Sequence, residues 1–170
     1  MKLLISLAVL LAVSLASEDG DAPSQDLTSS QIKNLLSKAT LYNSQGRQVS
    51  LDSLRGKYIG LYFSGYWCSP CRKMTPVLTQ VREKQKSRFE IIWITRDHSE
   101  TEANNYFRKM SWLRLPFNEA RSIGNELFRA VRQRYIPTLT MLDPNFNVIN
   151  YNARSQIERD SSGRNFPWRS

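Results

Sequence analysis

Two apolar runs of strand length flank a stretch with helical periodicity. The first run, KYIGLYF, occupies residues 57–63, and the second, FEIIWIT, occupies residues 89–95. Near-continuous apolar runs of this length are typical of strands buried on both faces of a sheet. From Ser69 onward, apolar residues recur at the spacing of one helix face: Met74, Val77, Leu78 and Val81. This order predicts a βαβ unit whose two strands are parallel.

Weaker patterns on either side extend this unit into an α/β domain. We expect a central mixed β-sheet flanked by helices on both faces. Pro76 lies inside the central helix and predicts a kink there. Trp93 and Trp112 lie in apolar runs, so we expect both in the core. The further predicted elements are short strands at 40–42 and 47–51, helices at 31–38, 100–110 and 122–135, and a hairpin of strands at 138–142 and 148–151.

The N-terminus has the pattern of a secretory signal. One lysine precedes an apolar run broken by two serines, and small residues at Ser14 and Ala16 suit cleavage after Ala16. The run is shorter than the roughly 20 residues that a membrane helix needs, which makes an uncleaved anchor the weaker alternative. We therefore expect a signal peptide at 1–16, a flexible polar leader at 17–30 and one domain at 31–170. Because no KDEL-type retention signal is found, secretion is the expected destination.

The chain is strongly basic. Its 170 residues contain 24 Lys and Arg against 15 Asp and Glu, a formal net charge of +9 at pH 7. Such a surface attracts acidic protein segments and polyanions, and at short range it stabilises thiolates. The basic residues are scattered and no nucleic-acid-binding motif accompanies them. We therefore expect a monomer without a nucleic-acid partner and, after signal cleavage, without a membrane partner.

The chain's two cysteines, Cys68 and Cys71, lie at the predicted strand-to-helix junction. A disulfide that closes so short a loop restrains the unfolded chain little, so a structural staple is a poor explanation. A structural zinc site needs four ligands, whereas the sole histidine, His98, lies in a polar stretch and is expected to be an exposed loop residue. Unpaired N–H groups and the dipole at a helix N-terminus favour a thiolate at Cys68, within reach of Cys71. The pair indicates thiol–disulfide exchange, with no metal or organic cofactor.

Several motifs around and beyond the cysteine pair belong to one pattern. They are YFSGYWCSPCR at 62–72, TP at 75–76, YFRKMSWLRLPF at 106–117, IPTL at 136–139 and FPW at 166–168. With them the chain resembles the thioredoxin superfamily, and within it the tryparedoxin and nucleoredoxin group, over most of residues 51–168. A bare CxxC is a weak motif, but the combination is specific. The resemblance implies a thioredoxin-like fold.

The resemblance also implies how the redox pair works. Cys68 would attack the substrate disulfide, and Cys71 would resolve the resulting mixed disulfide. Pro137 would be a cis-proline that faces the pair. The turn would then expose the backbone of Ile136 to an extended substrate segment, as in a short β-augmentation.

Three further residues are implied to contact substrate. Trp67 would be a flat apolar ledge beside the sulfur; the alternative is an ordinary core aromatic. Arg154 resembles a position that contacts substrate in tryparedoxins; the alternative is a solvated arginine at a strand end. Thr138 completes the set, because it follows the predicted cis-proline.

The chain departs from the thioredoxin pattern at the proton relay. Thioredoxins proper carry a buried aspartate at the position of Tyr62, and a phenol, whose pKa is ordinarily about 10, is a poor base. Asp97, just past the second parallel strand, is our candidate relay; the alternative is a loop or helix-capping residue. Arg96 and His98 stand where tryparedoxins commonly have Trp and Glu, and Ser-Pro stands in place of Pro-Pro between the cysteines. Substrate preference therefore cannot be transferred.

These observations predict a secreted thiol–disulfide oxidoreductase, used as a protein-disulfide reductase. The expected substrates are disulfide-containing proteins or small thiols, and an unidentified reductant must recharge the pair. The alternatives are a disulfide isomerase or oxidase of the secretory pathway, because that compartment is oxidising, and a non-catalytic redox-sensitive binding module.

Overall fold

A mixed seven-stranded sheet with helices on both faces forms the described part of the chain, residues 25–170 of a computed structural model. The predicted signal peptide and residues 17–24 of the predicted leader lie outside the described residues. No helix within residues 25–170 is both long enough and apolar enough to cross a membrane. The helices are α1 (Gln25–Lys38), α2 (Ser69–Gln85), α3 (Glu100–Phe107), α4 (Phe117–Arg121), α5 (Ile123–Ala130) and α6 (Arg154–Arg159), with one 3₁₀ turn at Leu51–Leu54. The strands are β1 (Leu41–Tyr42), β2 (Gln48–Val49), β3 (Tyr58–Ser64), β4 (Phe89–Thr95), β5 (Leu113–Arg114), β6 (Thr138–Leu142) and β7 (Val148–Asn150).

The sheet has the order β2-β1-β5-β4-β3-β6-β7. Strands β3 and β4 pair in parallel from Tyr58↔Phe89 to Ser64↔Thr95, which confirms the predicted βαβ unit. Strand β6 is antiparallel to β3, and β7 is antiparallel to β6, as the hairpin prediction requires. The central strands are therefore covered by neighbours on both edges, and their main-chain groups are satisfied within the sheet.

Alternate residues of the central strands enter two separate cores. On β3 and β4, Leu61 and Ile92 face one side of the sheet, while Tyr62 and Trp93 face the other. The first core is closed by α1 and α5, and the second by α2, α3 and α6. Trp93 and Trp112 are fully buried, as predicted. Because burying one large apolar side chain contributes about 1.5–3 kcal/mol, the second core stabilises the position of α2 on the sheet.

Three helices differ in their bounds from the predictions, and the one predicted at 100–110 ends at Phe107. Helix α1 begins at Gln25, so residues 25–30 are helical and do not belong to a flexible leader. Thr28 and Ser29 are buried there, and the Ser29 hydroxyl donates to Asn147 Oδ1 at 2.8 Å. The predicted helix at 122–135 is shorter in the structure, because Arg132 has a φ of 56°, which a right-handed helix cannot include.

Three elements were missed by the periodicity analysis. Strand β5 has two residues, and helices α4 and α6 have five and six. Such short segments do not complete a hydrophobic repeat. Strand β5 forms because β1 and β4 pair with it from either side, which is a tertiary effect. The central helix α2 was predicted, and it continues past Pro76 to Gln85.

The C-terminal tail is organised around one buried carboxylate. Asp160 accepts hydrogen bonds from the Ser162 hydroxyl at 2.7 Å, the Arg164 N–H at 3.0 Å, the Asn165 N–H at 2.7 Å and Trp168 Nε1–H at 3.0 Å. Burial alone raises the pKa of Asp160, but these hydrogen bonds outweigh it and hold the pKa well below the usual range of an aspartate. The carboxylate thus anchors Trp168 in the core beneath α2.

Asp160→Asn should destabilise the fold by about 2 kcal/mol at neutral pH, because an amide NH₂ would face several donors. The depressed pKa means that the ionised carboxylate contributes stability above the pKa of the unfolded chain, and this stability is lost as pH falls. The difference between the two proteins in urea unfolding should therefore shrink below about pH 4. Asp52→Asn, at a side chain that is 87% exposed, is the surface control and should change stability little. An effect of Asp160→Asn no larger than that of the control would contradict the anchor.

Candidate active site

The redox pair lies at the N-terminus of α2, immediately after β3. Cys68 is the N-cap residue, and its Sγ accepts the Cys71 N–H at 3.3 Å. Pro70 lies in the first turn, where its missing N–H costs no helical hydrogen bond. The two cysteines form a disulfide with their Cα atoms 5.2 Å apart. The sulfur of Cys68 therefore lies where unpaired helix N–H groups and the helix dipole stabilise a thiolate after reduction.

The two cysteines differ in exposure. Cys68 is 6% exposed, whereas Cys71 is fully buried. The small exposed area of the pair therefore belongs to Cys68, while Cys71 offers none to an incoming molecule. This asymmetry favours Cys68 as the attacking sulfur, and the order in which Cys68 attacks and Cys71 resolves stays a prediction.

The Ile136-Pro137 turn lies at the same edge of the sheet as Cys68. Strand β3 ends next to the start of the antiparallel strand β6, with Phe63 paired to Thr138, so the loop after β3 and the loop before β6 are neighbours. The Ile136-Pro137 peptide bond is cis, as the resemblance implied. Within residues 25–170 no hydrogen bond uses the main-chain groups of Ile136. Those groups are free to pair with an extended chain.

Trp67 is an exposed residue rather than a core aromatic. It is 52% exposed, and its Nε1–H donates to the Arg96 carbonyl at 3.0 Å. Its ring stacks on His98, with centroids 5.5 Å apart and planes at 24°. A Cβ at Gly65 would lie 2.8 Å from Trp67 Nε1, so this arrangement requires glycine. His98 is exposed, as expected, and through its contact with Trp67 it lies at the rim of the site, the exposed side chains around Cys68.

Asp97 is fully buried beside this loop and is not a helix cap, since Ser99 caps α3. Its carboxylate accepts the Tyr66 N–H at 2.6 Å and the Thr95 hydroxyl at 2.9 Å. Burial raises the pKa of Asp97 above its usual range, and the hydrogen bonds from Tyr66 and Thr95 oppose the rise only in part. Asp97 is thus a buried carboxyl group whose pKa is shifted toward neutrality, beside the loop that carries Cys68.

Tyr62 belongs to a hydroxyl cluster beneath Cys71. The hydroxyls of Tyr62 and Thr75 each lie 3.1 Å from the Cys71 carbonyl oxygen, and Thr75 Oγ1 lies 2.6 Å from the Tyr106 hydroxyl. Burial, and then the neighbouring Tyr106, raise the pKa of Tyr62 well above the usual range. The Tyr62 phenol therefore stays protonated at neutral pH and holds the first turn of α2 in place.

The two remaining residues predicted to contact substrate, Thr138 and Arg154, lie at the starts of β6 and α6. Thr138 is fully buried, and its hydroxyl has no hydrogen-bond partner in the described part of the chain. Arg154 is the first residue of α6, not a strand-end residue, and its Nε donates to Glu158 Oε1 at 2.8 Å. The Ala153 N–H donates to the Leu139 carbonyl at 2.8 Å, which ties the start of α6 to β6.

Two exposed aromatic residues that adjoin predicted site residues were not predicted from the sequence. Tyr66 and Tyr135 are 46% and 63% exposed, and with Trp67 they are the exposed large hydrophobic residues of the described chain. Each lies next to a predicted site residue: Tyr66 precedes Trp67, and Tyr135 precedes Ile136. A large aromatic in a loop, where polar turn residues are usual, was the available signal.

Comparisons with known proteins agree with this geometry. A family model described as Thioredoxin-like matches residues 56–148, which include both cysteines and the cis-proline. Tryparedoxin of Trypanosoma brucei brucei is 40% identical over 142 residues, covering 82% of this chain and 98% of that protein. Nucleoredoxin of Homo sapiens is 40% identical over 132 residues, covering 75% of this chain but 30% of that protein.

Solved structures give the same result. The structure of tryparedoxin from Trypanosoma brucei superposes with a TM-score of 0.75 at 38% identity, covering 82% of this chain and 99% of that chain. A tryparedoxin II complexed with glutathionylspermidine superposes with a TM-score of 0.75 at 29% identity, with the same two coverages of 82% and 99%.

Fold and site together define a thiol–disulfide oxidoreductase with a thioredoxin-like α/β fold. More narrowly, the chain belongs to the Thioredoxin-like family that includes the tryparedoxins and nucleoredoxins.

Proposed function

We propose that the protein is a secreted protein-disulfide reductase. The observation that carries this proposal is the asymmetry of the redox pair: Cys68 is 6% exposed at a helix N-terminus, whereas Cys71 is buried one turn behind it. The Ile136-Pro137 turn beside the pair offers unpaired main-chain groups to a substrate. A site that only held a partner would not need this ordered access to two sulfurs.

The reaction proceeds by two exchanges. The Cys68 thiolate attacks one sulfur of the substrate disulfide, the substrate S–S bond breaks, and the departing sulfur takes a proton. The Cys71 thiol then loses its proton and attacks Cys68 Sγ, which breaks the mixed disulfide and releases the second substrate thiol. Two electrons pass from the cysteine pair to the substrate, and an external thiol reductant returns them.

The substrates would be disulfide-containing proteins or small disulfides. Main-chain pairing at Ile136 would recognise an extended chain without selecting its sequence, and Trp67 would cover the reacting sulfurs. The tryparedoxin II complexed with glutathionylspermidine supports small thiols as a further class. The exchange itself needs no metal or organic cofactor, since the electrons reside on the sulfurs. Within residues 25–170 no three His, Cys, Asp or Glu side chains cluster to hold a metal.

Asp97 is the proposed acceptor of the Cys71 proton. It is buried, its pKa is raised, and its carboxylate is held by Tyr66 two positions before Cys68. A base works best when its pKa lies near the working pH, which favours Asp97 over the protonated phenol of Tyr62. A water molecule could complete the path between the carboxylate and the sulfur.

Cys71→Ser should trap substrates on the protein. Without the resolving sulfur, the mixed disulfide formed by Cys68 accumulates, and mass spectrometry should place the substrate on Cys68. Cys68→Ser should trap almost none, because Cys71 is buried. Equal trapping by both variants would reject the assigned roles. As the activity control, the wild-type chain with dithiothreitol should reduce insulin disulfides faster than dithiothreitol alone.

Asp97→Asn should slow the resolving step by at least about tenfold near neutral pH, because it removes a general base. The base must be ionised, so the wild-type rate should rise as pH rises through the raised pKa of Asp97, and the variant should lack this rise. Stopped-flow release of a chromogenic thiol from the mixed disulfide measures the step. Tyr62→Phe is the control and should keep the wild-type pH profile. A profile unchanged by Asp97→Asn would assign the proton transfer to another group.

Secretion rests on the apolar run in residues 3–16 and can be tested directly. Expressed in cells with a secretory pathway, the protein should reach the medium with Ser17 as its first residue, as read by intact mass or N-terminal sequencing. Replacing Leu10 and Leu11 by Arg should keep it inside the cells, because two charges in the middle of the apolar run would disrupt the signal. Retention of the unaltered chain, or a secreted form that still carries Met1, would contradict the predicted signal.

A further inference from the structure

A groove between α2 and α3 lies beside the redox pair and takes no part in the proposed exchange. Its volume is about 490 Å³. The α2 residues that line it recur at helical spacing and so share one face of the helix. The lining residues are Arg72, Thr75, Pro76, Thr79, Gln80, Tyr106 and Lys109.

Two cations stand at this groove without a carboxylate partner. The Arg72 guanidinium and the Lys109 ammonium each lie 5.3 Å from the centroid of the Tyr66 ring. Neither forms an ion pair in the part of the chain that the structure describes. Arg72 is further held by a hydrogen bond from its Nη1 to the Tyr66 carbonyl. The half-exposed ring of Tyr66 thus holds two positive charges close together on one side of the site.

The rest of the groove combines an apolar wall with hydroxyl groups. Pro76 is exposed there and has no N–H to donate to the Arg72 carbonyl. Thr75 and Tyr106 contribute oxygen atoms that lie 2.6 Å apart, and Thr75 Oγ1 also reaches the Cys71 carbonyl. A group bound in the groove would therefore lie next to the first turns of the helix that carries the redox pair.

We propose that this groove binds an acidic segment of the polypeptide whose disulfide the enzyme reduces, with Arg72 and Lys109 pairing with its carboxylates. The unpaired cations select negative charge, and the apolar wall suits the stems of glutamate side chains. The net charge of +9 draws such segments toward the protein. The identification of the occupant as a substrate chain rests on the proposed function, and it makes substrates with acidic residues near their disulfide the preferred ones.

A binding measurement tests the groove apart from the redox chemistry. A short, labelled, cysteine-free peptide rich in glutamate and its glutamine counterpart are titrated with the oxidised full chain by fluorescence anisotropy. The glutamate peptide should bind more tightly, and Lys109→Gln should weaken its binding by about fivefold, while Arg72→Lys should retain most of it. Arg108→Gln is the matched control, since it removes an exposed neighbouring charge that does not line the groove.

Turnover completes the test. A disulfide peptide flanked by glutamates should be reduced faster than its glutamine counterpart, and Lys109→Gln should abolish most of this difference. Equal weakening by Arg108→Gln and Lys109→Gln, or equal handling of the two peptides by the wild type, would overturn the groove proposal. Insulin reduction by the wild type distinguishes the two proposals: turnover without peptide selectivity overturns only the groove, whereas selective binding without any turnover overturns the reductase and the substrate identity of the occupant.

Discussion

The hydrogen bond from the Cys71 N–H to Cys68 Sγ is the contact on which the site depends. A helix N-terminus has unpaired N–H groups that need acceptors, and here a reactive sulfur serves as one. The parallel pairing of β3 with β4 and the burial of α2 against the sheet determine where that helix begins. The sulfur of Cys68 therefore both caps helix α2 and belongs to the redox pair.

The two candidate proton-transfer groups, Tyr62 and Asp97, lie in different places around the cysteine pair. The raised pKa of Tyr62 keeps its hydroxyl protonated. The hydroxyl can therefore donate to the Cys71 carbonyl and stabilise the first turn of α2. The carboxyl group with a raised pKa, Asp97, lies instead at the end of β4, against the loop before Cys68. In a thioredoxin proper, a single buried aspartate at the position of Tyr62 would supply an acidic group at that place. Here tertiary packing brings the carboxylate in from another strand.

The surface around the reactive sulfur is aromatic and basic. Trp67, Tyr66 and Tyr135 expose apolar area within loops that the sheet brings together. Arg72 and Lys109 approach the ring of Tyr66 from α2 and α3. Cys68 itself is only 6% exposed, so in the proposed function most contacts with a substrate would come from these neighbours. The proposed polypeptide substrates would pair their main chain at the cis-proline turn while their side chains contact these aromatic and basic residues.

Local patterns in the sequence were enough to determine the core of the fold. The runs at 57–63 and 89–95 and the helical repeat between them predict the βαβ unit, because periodicity reflects which side chains an element buries. The spacing of Cys68 and Cys71 at a strand-to-helix junction likewise determined the chemistry. Helix α1, strand β5 and helix α6 were misjudged or missed, because their stability comes from distant partners.

Only the tertiary structure decided the contacts between segments that are remote in sequence. The burial of Asp97, the stacking of His98 on Trp67 and the two cations over Tyr66 each join different loops or helices. No spacing rule along the chain encodes such contacts, since they depend on how the sheet brings strand ends together. The sequence by itself thus determined the class of chemistry, thiol–disulfide exchange, whereas the folded structure decided how far each cysteine is buried and what surrounds it.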